Sequence, residues 1–347
     1  MKILISSDGT HAHFYQRVAW ANAFNSCGMQ AMLWDCKNSS AFDAFDTFEP
    51  DLFLGQTYNL TEDVVKCIKE RPWLKVGLRA GDWGDQTPEI DHNRFNILTC
   101  SQQEIHALKS LQQETGQVKF VHIHYAPEAI SVTHNSFESI GIKPISLMMC
   151  ADVLSYRQAI FDPTLSCDIG FVGGYWPYKA QVLDPYLMPL LEPFGQYKVK
   201  IFGNQPWKAN QYCGLISDDK VKDVFVSSKI CPNLSEPHAQ EYGFDVNERI
   251  FKILYAGGFC ISDNVIGYKT TFGEHVPLAD DPEHFKELID YYLDKPSERL
   301  KIAEAGRDHV KQNHTGFHRA AQILSAFGNE DLSKEVVKQY KENMNVF

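Results

Sequence analysis

The sequence predicts an α/β protein built as two doubly wound, Rossmann-like domains facing one another across a cleft. Three observations carry this expectation. Short buried-strand runs alternate with amphipathic helical runs, the pattern of a parallel sheet covered by helices on both faces. The alternation restarts near residue 167. The chain has 347 residues, more than one ordinary core uses and suited to two.

KILIS (2–6) reads as the first strand, followed by the turn Asp8-Gly9-Thr10. In HFYQRVAWANAFNSCG, Phe14, Val18, Ala21 and Phe24 lie at helical spacing, and Gly28 closes the helix. QAMLWDC (30–36) and DLFLGQ (51–56) are the next strands, and Thr61 caps the helix TEDVVKCIKE. LKVGLRAGD (74–82) is a fourth strand that runs into a glycine-bearing loop, and FNILTC (95–100) is a fifth. A helix through 102–115 and a sixth strand, VKFVHIHYAP (118–127), complete the first domain. The join falls within 128–166, where HNSFESIGIKP and FDPTLS are rich in turn residues.

CDIGFVGGYWPYK (167–179) is then a strand, a glycine turn and the start of a helix that runs to about 192. YKVKIFGN (197–204) and SSKICPNLS (227–235) are strands, and NERIFKILYAGG is a helix leading into the strand FCISDN. HVPLADD (275–281) leads to a strand end, and helices follow at 282–294 and 297–313. The tail 331–347 is a polar helix with an apolar stripe. The expected domains are therefore 1–155 and 156–330, with 331–347 as a closing helix.

Composition narrows the function. Hydrophobic residues make up 44% and charged residues 22%, the balance of a soluble globular protein. No apolar run reaches the length of a membrane span, and the start MKILISSDGTHAHF is too short in apolar residues for a secretory leader. Nine scattered cysteines without a CxxC pair point to a reducing, cytoplasmic setting. The net charge of −11 argues against duplex nucleic acid as the main partner, while leaving room for a local basic cleft.

Four groups of residues bear on chemistry. In DIGFVGGYWPYK a strand ends in Gly173-Gly174 and a helix begins just ahead of Lys179. Glycines allow close backbone approach, and a helix start offers N–H donors and a positive dipole to phosphate. The plainer reading is an ordinary turn with a solvated lysine. In NERIFKILYAGG, Arg249 and Lys252 lie three apart and can face a diphosphate together. Alternatively, Glu248 pairs with Lys252 at i,i+4 on a solvated face. His11 and His13 follow the first strand, where a histidine can act as a general base or grip an acceptor hydroxyl, or merely cap a helix. Asp82, in the loop after the fourth strand, can orient the acceptor or the base. His122 and His124 share one strand face without an evident third ligand, so packing is the simpler reading. No DxD occurs, so no metal site is expected and basic groups must neutralise any diphosphate.

Five segments in order, DIGFVGGYWPYK, VKIFGNQPW, SSKICPNLS, NERIFKILYAGGFCISD and AGRDHVKQNHTGFHRAAQIL, resemble the nucleotide-sugar glycosyltransferases of the two-Rossmann (GT-B) type. Within these the chain looks most like the CgeB-like, spore-maturation group, related to the retaining family-4 enzymes. The likeness runs over about 167–324; in the first half it is confined to architecture and HYAPEAI (124–130). The resemblance implies a donor site in the second domain and an acceptor site in the first. It implies that Gly173, Gly174 and Lys179 line the diphosphate, with Arg249 facing it. Gly203, Asn204 and the Ser228–Cys231 backbone, with Lys229 and Ile230, would lie near the base. Asn247 would sit at the helix start, and Gly257-Gly258 would permit close helix approach. Lys252 departs from the pattern: the family has a glutamate there that accepts hydrogen bonds from the donor ribose, whereas lysine only donates. That leaves an altered donor, a takeover of the ribose by Glu248 or Glu241, or a decayed site.

The expected activity is transfer of a sugar, of hexosyltransferase type, from a nucleotide-diphosphate sugar to an acceptor hydroxyl. The donor is a co-substrate, no cofactor or metal is needed, and the outcome is retention unless His11 or His13 acts as base. The acceptor is an unspecified glycan, protein or small molecule. A nucleotide-sugar epimerase and a non-catalytic nucleotide- or sugar-binding module are the rival classes.

Overall fold

A computed structural model describes residues 1–7, 11–80 and 102–343. The chain divides into two compact units, Met1–Asp152 with Thr315–Phe347, and Val153–His314.

In the first unit the strands are β1 (Lys2–Ser7), β2 (Gln30–Asp35), β3 (Leu52–Gln56), β4 (Lys75–Arg79), β5 (Val118–Ile123) and β6 (Lys143–Ser146). The helices between them are α1 (His11–Ser26), α2 (Ala41–Phe48), α3 (Glu62–Lys69) and α4 (Gln102–Thr115). The strands form one sheet in the order β2-β1-β3-β4-β5-β6, and every pairing is parallel. Ile3, Leu4 and Ile5 of β1, Val76 and Leu78 of β4 and Val121 of β5 are buried, as expected of strands covered on both faces. Chain order reverses between β1 and β3, the switch point at which doubly wound sheets bind ligands beyond the strand C-termini.

The second unit repeats the plan. Its strands are β7 (Cys167–Val172), β8 (Val199–Phe202), β9 (Ser228–Asn233), β10 (Cys260–Asp263) and β11 (Leu278–Ala279). Its helices are α5 (Val153–Tyr156), α6 (Pro177–Leu187), α7 (Asp218–Ser227), α8 (Pro237–Tyr242), α9 (Glu248–Ala256), α10 (Ile266–Phe272), α11 (Pro282–Asp294) and α12 (Pro296–Asn313). The sheet order is β11-β10-β9-β7-β8, again all parallel, with the switch point between β7 and β9. Ile169, Phe171, Ile201, Ile230, Ile261, Phe285 and Ile289 form the centre of its core.

The expected strand FNILTC (95–100) lies outside the described residues. Two details differ from the expectation. A strand, β6, occupies part of the stretch read as the turn-rich join; it is four residues long, carries Pro144 and pairs on one side only, which a sheet edge tolerates. The chain also returns to the first unit at Thr315, ahead of the tail at 331. Helix α13 (Gly316–Ala326) lies against α1 so closely that a Cβ on Gly316 would come within 2.5 Å of the Ala19 carbonyl oxygen. Arg319 donates from Nε to the Met148 carbonyl at 2.7 Å, and α14 (Glu330–Asn343) adds Tyr340 stacked on Phe317.

Candidate functional site

The second sheet delivers its loops after β7, β8 and β9 to one edge, beyond the strand C-termini. Gly173 follows β7 and Gly203 follows β8, and their backbones touch. A Cβ on Gly203 would stand 2.4 Å from the Gly173 oxygen, and one on Gly174 would stand 2.8 Å from Asn204 Oδ1. Gly173 N–H donates to the Phe202 carbonyl at 2.7 Å, and its own carbonyl accepts from Trp207 Nε1 at 2.9 Å. The glycines thus let two loops pack backbone to backbone, which fixes the course of the chain into α6.

Two cations meet at this edge. Lys179 sits in the first turn of α6, which opens with Pro177. It is only 7% exposed, with Nζ 3.6 Å from the Glu236 carboxylate and 4.9 Å from the centre of the Trp176 ring. Burial pulls its pKa down to about 8; the charge of Arg249 acts in the same direction and Glu236 opposes it. Arg249, in the first turn of α9, donates from Nε to the Val172 carbonyl at 2.8 Å and lies over the Phe171 ring at 4.8 Å. A longer contact of 3.4 Å joins Nη1 to the Leu234 carbonyl. Arg249 therefore bridges the ends of β7 and β9, at the switch point, and burial lowers its pKa.

Beside the cations lies a buried polar network of which the sequence reading named only Asn247. The Asp263 carboxylate, at the end of β10, accepts from Ser235 N and Oγ at 3.1 Å and from Gln240 Nε2 at 2.9 Å. Burial raises its pKa against those hydrogen bonds. Ser235 Oγ is 2.9 Å from Tyr268 OH, which also accepts from Asn247 Nδ2 at 2.8 Å. Polar residues at the ends of the apolar runs ICPNLSE and FCISD were the available signal, because strand C-termini are where such sheets bind.

Other expected residues lie elsewhere. Lys229 is at the start of β9, the far end of the sheet, where its Nζ pairs with Asp168 at 2.7 Å. Ile230 is fully buried and faces Ile169 across the sheet. Gly257, at φ +95°, ends α9 in the left-handed region that favours glycine, and a Cβ on Gly258 would sit 2.9 Å from the Phe225 carbonyl. Both belong to the end of α9 remote from Arg249. Lys252 pairs with Glu248 at 2.8 Å, both largely buried, and lies 5.5 Å from the centre of the Tyr156 ring. Burial raises the Glu248 pKa while Lys252 opposes the rise. Glu241 is exposed.

In the first unit His11 opens α1. The His13 ring meets that of His124 edge-on at 4.7 Å, and burial, then the charge of Arg79, holds its pKa well below the usual value. Asp82 lies outside the described residues. Among the described residues no group of three or more His, Cys, Asp or Glu side chains is placed to hold a metal ion, and no helix is long and apolar enough to cross a membrane.

Residues 187–325 match the family model described as glycosyl transferase-like. A search of curated proteins finds no match. Among solved structures, sucrose-phosphate synthase from Thermosynechococcus elongatus is similar with a TM-score of 0.65 at 11% identity, over 94% of this chain and 98% of that one. An alpha-glucosyltransferase in complex with UDP and DNA containing an HMU base gives 0.66 at 10% identity, over 94% and 99%. Anabaena HepE in complex with UDP gives 0.57 at 12%, over 94% and 100%. These likenesses establish the fold as the two-domain α/β architecture of GT-B glycosyltransferases.

Proposed function

We propose that this chain is a glycosyltransferase that binds a nucleotide-diphosphate sugar at the C-terminal edge of the second sheet and passes the sugar to an acceptor hydroxyl. The observation that carries the reading is the meeting of Lys179 and Arg249 at the β7/β9 switch point, two cations on separate helix starts within electrostatic reach of each other. A diphosphate relieves their mutual repulsion. As the bond to the anomeric carbon breaks, negative charge grows on the departing diphosphate, and fixed cations and helix dipoles stabilise it most at that point. The glycosyl transferase-like match over 187–325 and the UDP carried by two of the neighbours support the same reading.

The finer features of the proposal are these. The reaction proceeds without a metal, since basic groups serve the diphosphate, and with retention, as the family-4 resemblance implies. The chain sits near the CgeB-like group and works in the cytoplasm. Lys252 is committed to Glu248, so the ribose is held by other groups than the family's glutamate.

The test is release of nucleoside diphosphate from a panel of nucleotide sugars, with acceptor mixtures and a chelator present. Acceptor-dependent release, lowered at least tenfold in Arg249→Lys and Lys179→Met, is the expected result. Release unaffected by both substitutions removes the site assignment. Sugar interconversion without acceptor makes the protein an epimerase, and the anomeric configuration of the product, read by NMR, decides retention.

A further inference from the structure

A carboxylate stands with the two cations of the second sheet's edge. It belongs to Glu236, the residue just ahead of α8, whose side chain makes no cap hydrogen bond to that helix. It turns instead to two basic groups. Oε1 is 3.6 Å from Lys179 Nζ, and Oε2 is 3.8 Å from His238 Nδ1. Both contacts are longer than the about 2.7–2.9 Å of a tight charge-assisted hydrogen bond, so neither partner holds the carboxylate firmly. Lys179 is buried, whereas the Glu236 side chain is 32% exposed. An anion that arrives from solvent therefore meets Glu236 first.

His238 is placed to receive that carboxylate. Its Nδ1 is also 2.6 Å from the hydroxyl of Tyr178, the neighbour of Lys179 on α6, and its Nε2 is 3.6 Å from the Asp245 carboxylate. The rings of Tyr178 and His238 stack at 5.8 Å. Tyr178 and Asp245 thus fix the imidazole beside the Glu236 oxygen that Lys179 does not take. Burial lowers the proton affinity of Lys179 and of Arg249, and Glu236 opposes the fall in both.

We propose that Glu236 is an internal counter-ion, which occupies Lys179 in the free protein and turns to His238 when a diphosphate takes its place. The identity of the displacing anion rests on the donor reading, whereas the hold of Glu236 on Lys179 stands on the geometry alone. A quantitative link follows. Whatever Glu236 adds to the proton affinity of Lys179, it removes from the affinity of a diphosphate for the charged lysine. Where Lys179 is neutral before binding, there is no ion pair to break and the carboxylate makes no difference.

The experiment has two arms, both on the full chain, with folding of each variant checked by circular dichroism. The first is NMR titration of the Lys179 side chain in the free protein. In Glu236→Gln it should titrate below the wild-type value of about 8; an unchanged titration overturns the counter-ion. The second is calorimetric titration with uridine diphosphate across the same pH range. At acid pH Glu236→Gln should bind more tightly than wild type by the factor that the NMR difference dictates, about tenfold if the pKa falls by one, and the two curves should meet by about pH 9.5. A variant equally tighter at every pH means that Glu236 stays beside the diphosphate, and overturns the hand-over. A variant weaker at every pH makes Glu236 a part of the ligand site or of its scaffold, and overturns the proposal. His238→Phe keeps the ring and removes both nitrogens. It should weaken uridine diphosphate about threefold or more in the wild-type background and not in Glu236→Gln; equal effects in both overturn the hand-over. If Glu236→Gln does not fold, Glu236→Asp, which draws the carboxylate back by one methylene, should show the same two changes in smaller measure. Failure of the donor reading shows separately, as no binding of uridine diphosphate by any variant with the NMR difference intact; that result removes the displacement and leaves the counter-ion.

Discussion

Lys179 offers a quantitative handle on the donor edge. Its pKa in the free protein is about 8, set by burial and by Arg249. A diphosphate beside Nζ favours the charged form, so binding above that pH must take up a proton. The sign follows: affinity is full below about pH 8 and falls as pH rises through it. With the bound form protonated well past pH 9, affinity at pH 9 is about tenfold below that at pH 7, or ~1.4 kcal/mol. The free protein has the opposite slope. The unfolded lysine binds its proton up to about pH 10.5, so stability rises between about pH 8 and 10.5 as the buried charge is shed, by an amount on the order of 3 kcal/mol. The assay is isothermal titration with uridine diphosphate across this range, in two buffers of different ionisation enthalpy. About half a proton should be taken up per ligand near pH 8. Lys179→Met serves as the reference that removes titration of the ligand itself. A wild-type profile that parallels the variant's would refute the reasoning.

Three further perturbations follow from the geometry. Lys252→Met leaves the Glu248 carboxylate buried without its ion pair and should cost about 3–5 kcal/mol in urea unfolding, whereas Glu248→Met combined with Lys252→Met should lie near wild type; a single variant no less stable than the double would contradict the pairing. In the single variant the raised Glu248 pKa rises further, so the loss should be smallest at acid pH, where the carboxyl is protonated in both states, and grow as pH rises. Gly203→Ala puts a Cβ into the Gly173 carbonyl and should cost about 1–3 kcal/mol; an unchanged melting curve would mean that the two loops do not pack as described. Arg249→Lys keeps the charge but loses the guanidinium, whose Nε donates to Val172, and should weaken uridine diphosphate about tenfold or more; equal affinity would detach Arg249 from the ligand.

The alternation of strand and helix was legible because buried parallel strands read as apolar runs, and the restart near 167 marked the second unit. Lys179 and Arg249 were legible for the same reason: a helix that follows a parallel strand begins at the sheet's C-terminal edge, so residues in its first turn reach that edge. Lys229 shows the limit. SSKICPNLS was recognisable as a strand, but its basic residue stands at the start, and the sheet's C-terminal edge lies at Asn233 to Glu236. The i,i+4 spacing of Glu248 and Lys252 allowed two readings, and only side-chain directions reveal the ion pair. Gly203 answers to a contact with Gly173, thirty positions away, which no local pattern announces. The return at Thr315 depends on Gly316 meeting Ala19 and Arg319 meeting the Met148 carbonyl, contacts of the same long-range kind.

The most direct measurement is the melting temperature of the full chain against rising uridine diphosphate, with uridine alone as the comparison, for wild type and Arg249→Lys. A donor edge built on Lys179 and Arg249 gives a concentration-dependent rise with the diphosphate, little with uridine, and a smaller rise in the variant. Equal responses to both ligands, or none with any nucleoside diphosphate, would contradict a diphosphate site at the end of β7.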